Sequence, residues 1–228
     1  MNKFHHALAA ALTLAAGAAQ ADVQITEWMY SGNGPTGEYV EFTNLGSSAV
    51  DFTGWSFDDD SRLAGTVSLS PIGMLAPGES AVLTEGADAV FRAAWGLGAG
   101  VKLVGSNTTN LGRADEINLF DASGTLVDRL SHGDAVFAGT VRAQNFSGNP
   151  GSAADLLPFA VTPGWVLASV GDGFGSYAST LGDVGNPGLY APVPEPGTLP
   201  CGWPVRPPSP ASPAAVASEP QPLPEDPP

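Results

Sequence analysis

Cysteine, cations and long apolar runs are the scarce things in this chain of 228 residues. It has one cysteine, Cys201, so no intramolecular disulfide can form. Any fold must rest on an apolar core or on a bound ion. Lysine and arginine together number 8 against 23 aspartate and glutamate residues, a net charge of −15. A chain that acidic repels phosphate backbones and anionic bilayers, which excludes nucleic acid as an expected partner. Of the 3 histidines, His5 and His6 lie at the N-terminus and His132 stands alone. With Cys201, that is too few soft ligands for a zinc site. No apolar run reaches the roughly 20 residues of a membrane-spanning helix.

What is present begins with MNKFHHALAAALTLAAGAAQA. Lys3 precedes an apolar run from Ala7 to Ala19, and Ala19-Gln20-Ala21 fits the small-x-small rule. Residues 1–21 therefore read as a secretory signal peptide cut after Ala21. The other reading, a membrane anchor, needs a longer and less alanine-rich run. Residues 22–134 then carry strand signals every ten residues or so, separated by turn residues. Val23–Tyr30 is apolar with partial alternation. In EYVEFTN, Tyr39, Glu41 and Thr43 point one way and Val40 and Phe42 the other. Glu38 and Glu41 flank that core-facing pair and are expected to be solvated. Val50–Phe57 alternates again, and Thr66–Ser70, Ser80–Thr84, Val101–Val104, Glu116–Asp121 and Thr125–Ser131 follow, the last two joined by a DASG hairpin turn. Ala87–Gly96 predicts the single helix, with Val90, Phe91, Ala94 and Trp95 as its apolar stripe and Gly96 as its end.

Many short strands and one short helix predict an all-β sandwich. Residues 135–190 are Gly-rich and weakly patterned. They read as an extension packing on or closing the domain, with late strands at Leu156–Val161 and Trp165–Val170. From Ala191 the composition changes: 14 of the 21 prolines fall in residues 191–228. That stretch cannot bury enough surface to fold and is expected to be a disordered tail.

The strand series resembles the lamin tail domain family. The matching stretches are VQITEWMY, GEYVEFTNLGSSAVDFTGWSFDDD, LAPGESAVL, FRAAWG and ADEINLFDASGTLVDRLSHGD. The resemblance implies an immunoglobulin-like β-sandwich and a scaffold or interaction role rather than a fixed chemistry. Its core signature falls on Gly54, Trp55, Tyr39 and Phe42. Trp55, a large aromatic beside a turn glycine, is expected to fill the sandwich, and its burial would contribute roughly 2–3 kcal/mol.

Four motifs invite sharper readings. Gly32-Asn33-Gly34-Pro35-Thr36-Gly37 matches G-x-G-x-x-G, but a strand follows it instead of a helix, and Pro35 removes an amide. It reads as a hairpin loop, not a phosphate site. Asp58, Asp59 and Asp60 form an acidic loop that reads first as a solvated turn. Calcium is the ion they would suit, since hard cations want clustered carboxylates, yet three consecutive aspartates cannot all face one ion. Ser131, His132 and Asp134 are sequence neighbours, which a catalytic triad assembled in space does not require. Asn107 and Asn145 head weak glycosylation sequons. No catalytic residue and no required cofactor is expected.

The tail opens on VPEPGTL. Pro194, Glu195 and Pro196 resemble the PEP-CTERM sorting signal, which implies processing by an exosortase-type membrane enzyme. In that family a membrane helix and a basic end follow; here Pro-rich sequence follows, and its prolines forbid a helix. A frameshift after Leu199 would explain both facts, and a natural Pro-rich linker is the other reading. The expected protein is a non-catalytic structural or interaction module, secreted or held in the envelope or matrix of a Gram-negative bacterium. Its partners would be an extracellular polysaccharide or an envelope protein. The alternatives are a calcium- or glycan-binding module and, more distantly, a hydrolase accessory.

Overall fold

In a computed structural model, which describes residues 23–133, 141–157, 159 and 164–192, the alternating segments become strands. In chain order these are β1 (Val23–Met29), β2 (Tyr39–Asn44), β3 (Val50–Asp51), β4 (Ser56–Asp58), β5 (Val67–Ser68), β6 (Met74–Leu75), β7 (Ser80–Thr84), the helix α1 (Asp88–Trp95), β8 (Lys102–Val104), β9 (Ala114–Phe120), β10 (Leu126–Gly133), β11 (Gly148–Pro150), β12 (Trp165–Leu167), β13 (Tyr177–Ala178) and β14 (Val184–Gly185). A six-stranded sheet runs β12-β11-β1-β2-β7-β8, and a four-stranded sheet runs β10-β9-β4-β5. Pairing is antiparallel except between β7 and β8, which are parallel because α1 carries the chain across. The fold is an all-β, immunoglobulin-like sandwich with one short helix among the described residues.

The core lies between the two sheets. Ile25, Trp28, Val40, Phe42, Ala81 and Leu83 come from the larger sheet, and Phe57, Ile117, Leu119 and Leu130 from the smaller. Each is essentially inaccessible to water, and full burial of such side chains contributes about 1.5–3 kcal/mol apiece. A β-bulge in β1 between Ile25 and Glu27 resets the alternation. Val23, Ile25 and Trp28 all reach the core because of it, whereas strict alternation would aim Glu27 inward and Trp28 outward.

The larger sheet is covered on its outer face too. Met29, Tyr39 and Val82 pack under Phe91, Ala94 and Trp95 of α1. Gly96, in the left-handed conformation at φ 65°, ends the helix as expected, but Val90 is exposed and takes no part. The expected strand Val50–Phe57 is two strands. Trp55 N–H donates to Phe52 O at 3.0 Å, closing a turn in which Gly54 has φ 82°. Val67–Ser68 is shorter than expected because a 3-10 turn at Ser70–Ile72 follows. Leu156 lies in another 3-10 turn, Ala153–Leu156, where a strand was expected. The Gly-rich extension is more ordered than its pattern suggests: β11 pairs with β1, and β12 with β11, widening the main sheet.

Candidate functional site

The bulge that turns Glu27 away from the core places it directly opposite Glu41 in the β1–β2 register. Both are fully buried, on the outer face of the larger sheet. Glu27 Oε1 accepts from Tyr39 Oη at 2.7 Å and from Asn186 N–H at 2.8 Å. Glu41 accepts from Thr26 Oγ1 and from Gly188 N–H, each at 2.7 Å. Thr43 Oγ1 continues the chain, lying 2.7 Å from both Thr26 Oγ1 and Ser80 Oγ. Burial pushes the Glu27 carboxyl up to about 8, and repulsion from Glu41 adds to the rise. Burial likewise pushes Glu41 up to about 7, against the pull of its hydroxyl and amide donors.

The cover over this pair is a strap formed by β14 and the residues after it. Gly185 is there for close approach: a Cβ at that position would lie 2.4 Å from Tyr39 Oη and 2.8 Å from Glu27 Oε1. The strap is held on its flank by Asp183, which accepts from Asn33 N–H and Asn145 Nδ2 at 3.0 Å each.

Two further carboxyls do similar work. Glu38 Oε2 accepts from Leu111 N–H at 2.5 Å and Oε1 from Asn107 Nδ2 at 3.2 Å, pinning the loop between β8 and β9. Asp128 Oδ2 accepts from Ile25 N–H at 2.8 Å, so one sheet's carboxylate satisfies the amide beside the other sheet's bulge. Burial raises both, Glu38 to about 8 and Asp128 to about 6. The expectation that Glu38 and Glu41 are solvated is therefore corrected. A sheet covered on both faces has no solvent side for alternate residues to occupy.

The aspartate run does not converge on a point. Asp58 is buried at the end of β4 and accepts from Ser61 Oγ at 2.7 Å and from the Leu63 amide. Asp59 Oδ1 accepts from Ser61 N–H, and the Asp60 amide donates to Asp115. They organise their own turn, and among the described residues no three acidic, histidine or cysteine side chains are grouped to hold a metal ion. His132 is buried, with its ring stacked 4.1 Å from Trp28, and among the described residues neither ring nitrogen has a partner. Desolvation pushes it down to about 4. Tyr39 and Phe42 are both buried, Phe42 between the two sheets and Tyr39 on the outer face under α1. Trp55 is a correction: it is half-buried, stacked 4.6 Å from Phe52 at the core's edge, because the turn at Gly54 lifts it out. Trp28, fully buried, fills the sandwich instead. The G-x-G-x-x-G stretch links antiparallel β1 and β2 through a 3-10 turn at Gly34–Thr36, a hairpin connection. Asn107 is buried against Glu38 and Thr109, unlike an accessible glycan acceptor. Ala19, Ala21, Asp134, Pro194, Glu195, Pro196 and Cys201 lie outside the described residues.

An open cleft of about 500 Å³ lies beside His132, lined by Asp60, Arg62, Asp115, Glu116 and Ser131. His132 lines it too, while Arg62, Glu116 and Asp115 are already engaged. Glu116 holds Arg62 at 2.6 Å and Arg129 at 3.5 Å, and Asp115 accepts from the amides of Gly112 and Glu116. The family model of the Lamin Tail Domain matches residues 16–134, from ahead of β1 to just past β10. The chain belongs to the lamin tail domain family. Comparison with curated proteins gives no match. The lamin tail domain match spans every strand of the smaller sheet and stops before β11. The strands β11 and β12 and the strap over Glu27 and Glu41 therefore stand outside the matched stretch, although they complete the lamin tail domain's main sheet and its cover.

Proposed function

We propose that this lamin tail domain protein is an exported, non-catalytic structural or interaction module of the bacterial envelope or extracellular matrix. The observation that supports this most directly is where the buried carboxyls go. Glu27, Glu38, Glu41 and Asp128 each accept from backbone amides far away in the chain, so they fasten segments together. Acid–base catalysis instead needs titratable groups converging on space a substrate can enter. Export rests on the N-terminal pattern ending at Ala21, and surface targeting on Pro194-Glu195-Pro196. Among the described residues no helix is long and apolar enough to cross a membrane. The partners this reading implies are an exosortase-type processing enzyme and an extracellular polysaccharide or envelope protein, with no cofactor.

Expression of the full gene in a Gram-negative host, followed by fractionation and intact-mass measurement, tests the reading. A mature chain starting at Asp22 outside the inner membrane supports it. An uncut chain in the cytoplasm overturns it. Calcium binding at Asp58, Asp59 and Asp60 is the second reading; it rests on the acidic run in the sequence, since among the described residues no three acidic side chains are grouped to hold an ion. A calcium-dependent rise in Tm supports that reading, and an unchanged Tm in millimolar calcium refutes it.

A further inference from the structure

The strap crosses the larger sheet above two carboxyls that like-charge repulsion should keep apart. Glu27 and Glu41 are cross-strand partners, a placement that is destabilising for like charges even on an exposed sheet. Here both are fully buried, and among the described residues no cation faces them. The titratable groups around them are acids: Tyr39 on β2, and Tyr177 on β13, which feels the charge of Glu27. On the strap side, Asp183 is engaged by Asn33 and Asn145, and Tyr190 is half-buried. Arg92 of α1 is committed to Asp88 and to the carbonyls of Gly98 and Val101. The strap's own hold on the pair is two amides, Asn186 N–H on Glu27 and Gly188 N–H on Glu41.

We propose that Glu27 and Glu41 form a proton-operated latch, which keeps the strap closed while the pair holds a proton and lets it lift when both are ionised. In the closed state the proton relieves the repulsion that burial amplifies. Once the strap lifts, water solvates both carboxylates and they return to ordinary acidity. The closed state therefore binds more protons, and raising the pH favours the open one. Each proton so retained makes the opening constant rise about tenfold per pH unit until the closed pair itself ionises. Opening uncovers the Glu27 and Glu41 carboxyls and Tyr39 Oη, the groups the strap lies against.

Amide hydrogen exchange of the full chain at pH 5.5 and 8.5, corrected for intrinsic exchange rates, tests the latch. The expected result is at least a roughly tenfold rise in opening for residues 185–190, while the amides of β2 and β7 keep their protection. Glu27→Gln and Glu41→Gln each reduce that ratio. Equal protection at both pH values overturns the latch, as does parallel loss across the whole sheet, or a ratio unchanged in both variants. Should the variants fail to fold, carbon-13 titration of the glutamate carboxyls in the unaltered chain decides: a normal acidic midpoint for both Glu27 and Glu41 overturns it.

Discussion

Replacing Glu38 with glutamine should stabilise the protein at pH 8 and do little at pH 5. The carboxyl is buried, 3 % exposed, and is pushed up to about 8 by that burial, with Glu85 and Asp115 adding repulsion. In the unfolded chain it returns to the ordinary range near 4.5. The folded state thus holds a proton that the unfolded state releases between those values. Stability from this residue is fully present below the lower value and is lost as pH rises through the higher one, by up to about 1.4 kcal/mol per pH unit. Glutamine mimics the neutral carboxyl: its Oε1 can accept from Leu111 N–H, but Asn107 Nδ2 loses an acceptor unless one amide flips. That mismatch costs about 0.5–1.5 kcal/mol. At pH 5 the substitution should be neutral or slightly destabilising. By pH 8 the linkage gain, up to about 4 kcal/mol, exceeds the mismatch, leaving the variant ahead by as much as about 3 kcal/mol. For a chain of this size each kcal/mol moves Tm by roughly 2–4 °C. Thermal unfolding followed by circular dichroism at pH 5, 6, 7 and 8 gives the comparison. The wild-type Tm should fall more steeply with pH than that of the variant. Parallel curves refute the reasoning. A variant penalised more at pH 8 than at pH 5 would mean that an ionised Glu38 holds the loop.

Other perturbations separate the remaining contacts. Asp128→Ala leaves the buried Ile25 amide without its acceptor across the sandwich, and should cost about 1–3 kcal/mol in urea unfolding at pH 7. Trp28→Ala should cost about 3–5 kcal/mol, whereas the half-buried Trp55 should cost about 1–2 kcal/mol; equal losses would contradict the placement of Trp55 at the core's edge. His132, neutral in the fold down to about 4, is protonated in the unfolded chain below about 6.5. Its contribution is present above that upper value and lost as pH falls through the window. His132→Phe should keep the stack on Trp28 and flatten the decline between pH 6 and 4, read from urea midpoints; an unchanged decline assigns it to other groups.

The sandwich was legible because its alternation is local. EYVEFTN sets Val40 and Phe42 against Tyr39, Glu41 and Thr43 within seven residues, and the β2–β7 register keeps that division. The hairpin DASG and the helix end at Gly96 were equally local, each fixed by a glycine at positive φ. Trp28 was harder: a bulge two residues earlier decides its face, and the partial alternation of VQITEWMY is the trace that bulge leaves. Val50–Phe57 keeps the period of a strand through a turn that Gly54 makes, so its period alone places Trp55 wrongly in the sandwich.

The carboxyl pair shows where such reading stops. Period 2 says that Glu41 points away from Phe42, and it does. Whether that direction leads to water depends on what the rest of the chain lays over the sheet. The cover is Asn186 and Gly188, 159 and 147 residues from the carboxyls they contact, in a Gly- and Pro-rich segment that has no alternation of its own. It needs none, because it binds through backbone amides, and an amide donor is present at every residue except proline. A segment that docks by its backbone leaves no side-chain pattern. The available clue was on the sheet: three successive outward positions of β2 read Tyr39, Glu41, Thr43, and Thr26 and Glu27 fall on the same face. Tyrosine and threonine beside paired acids form a set of hydroxyl donors matched to carboxyl acceptors. A solvated face has no need of that matching, and a covered one does.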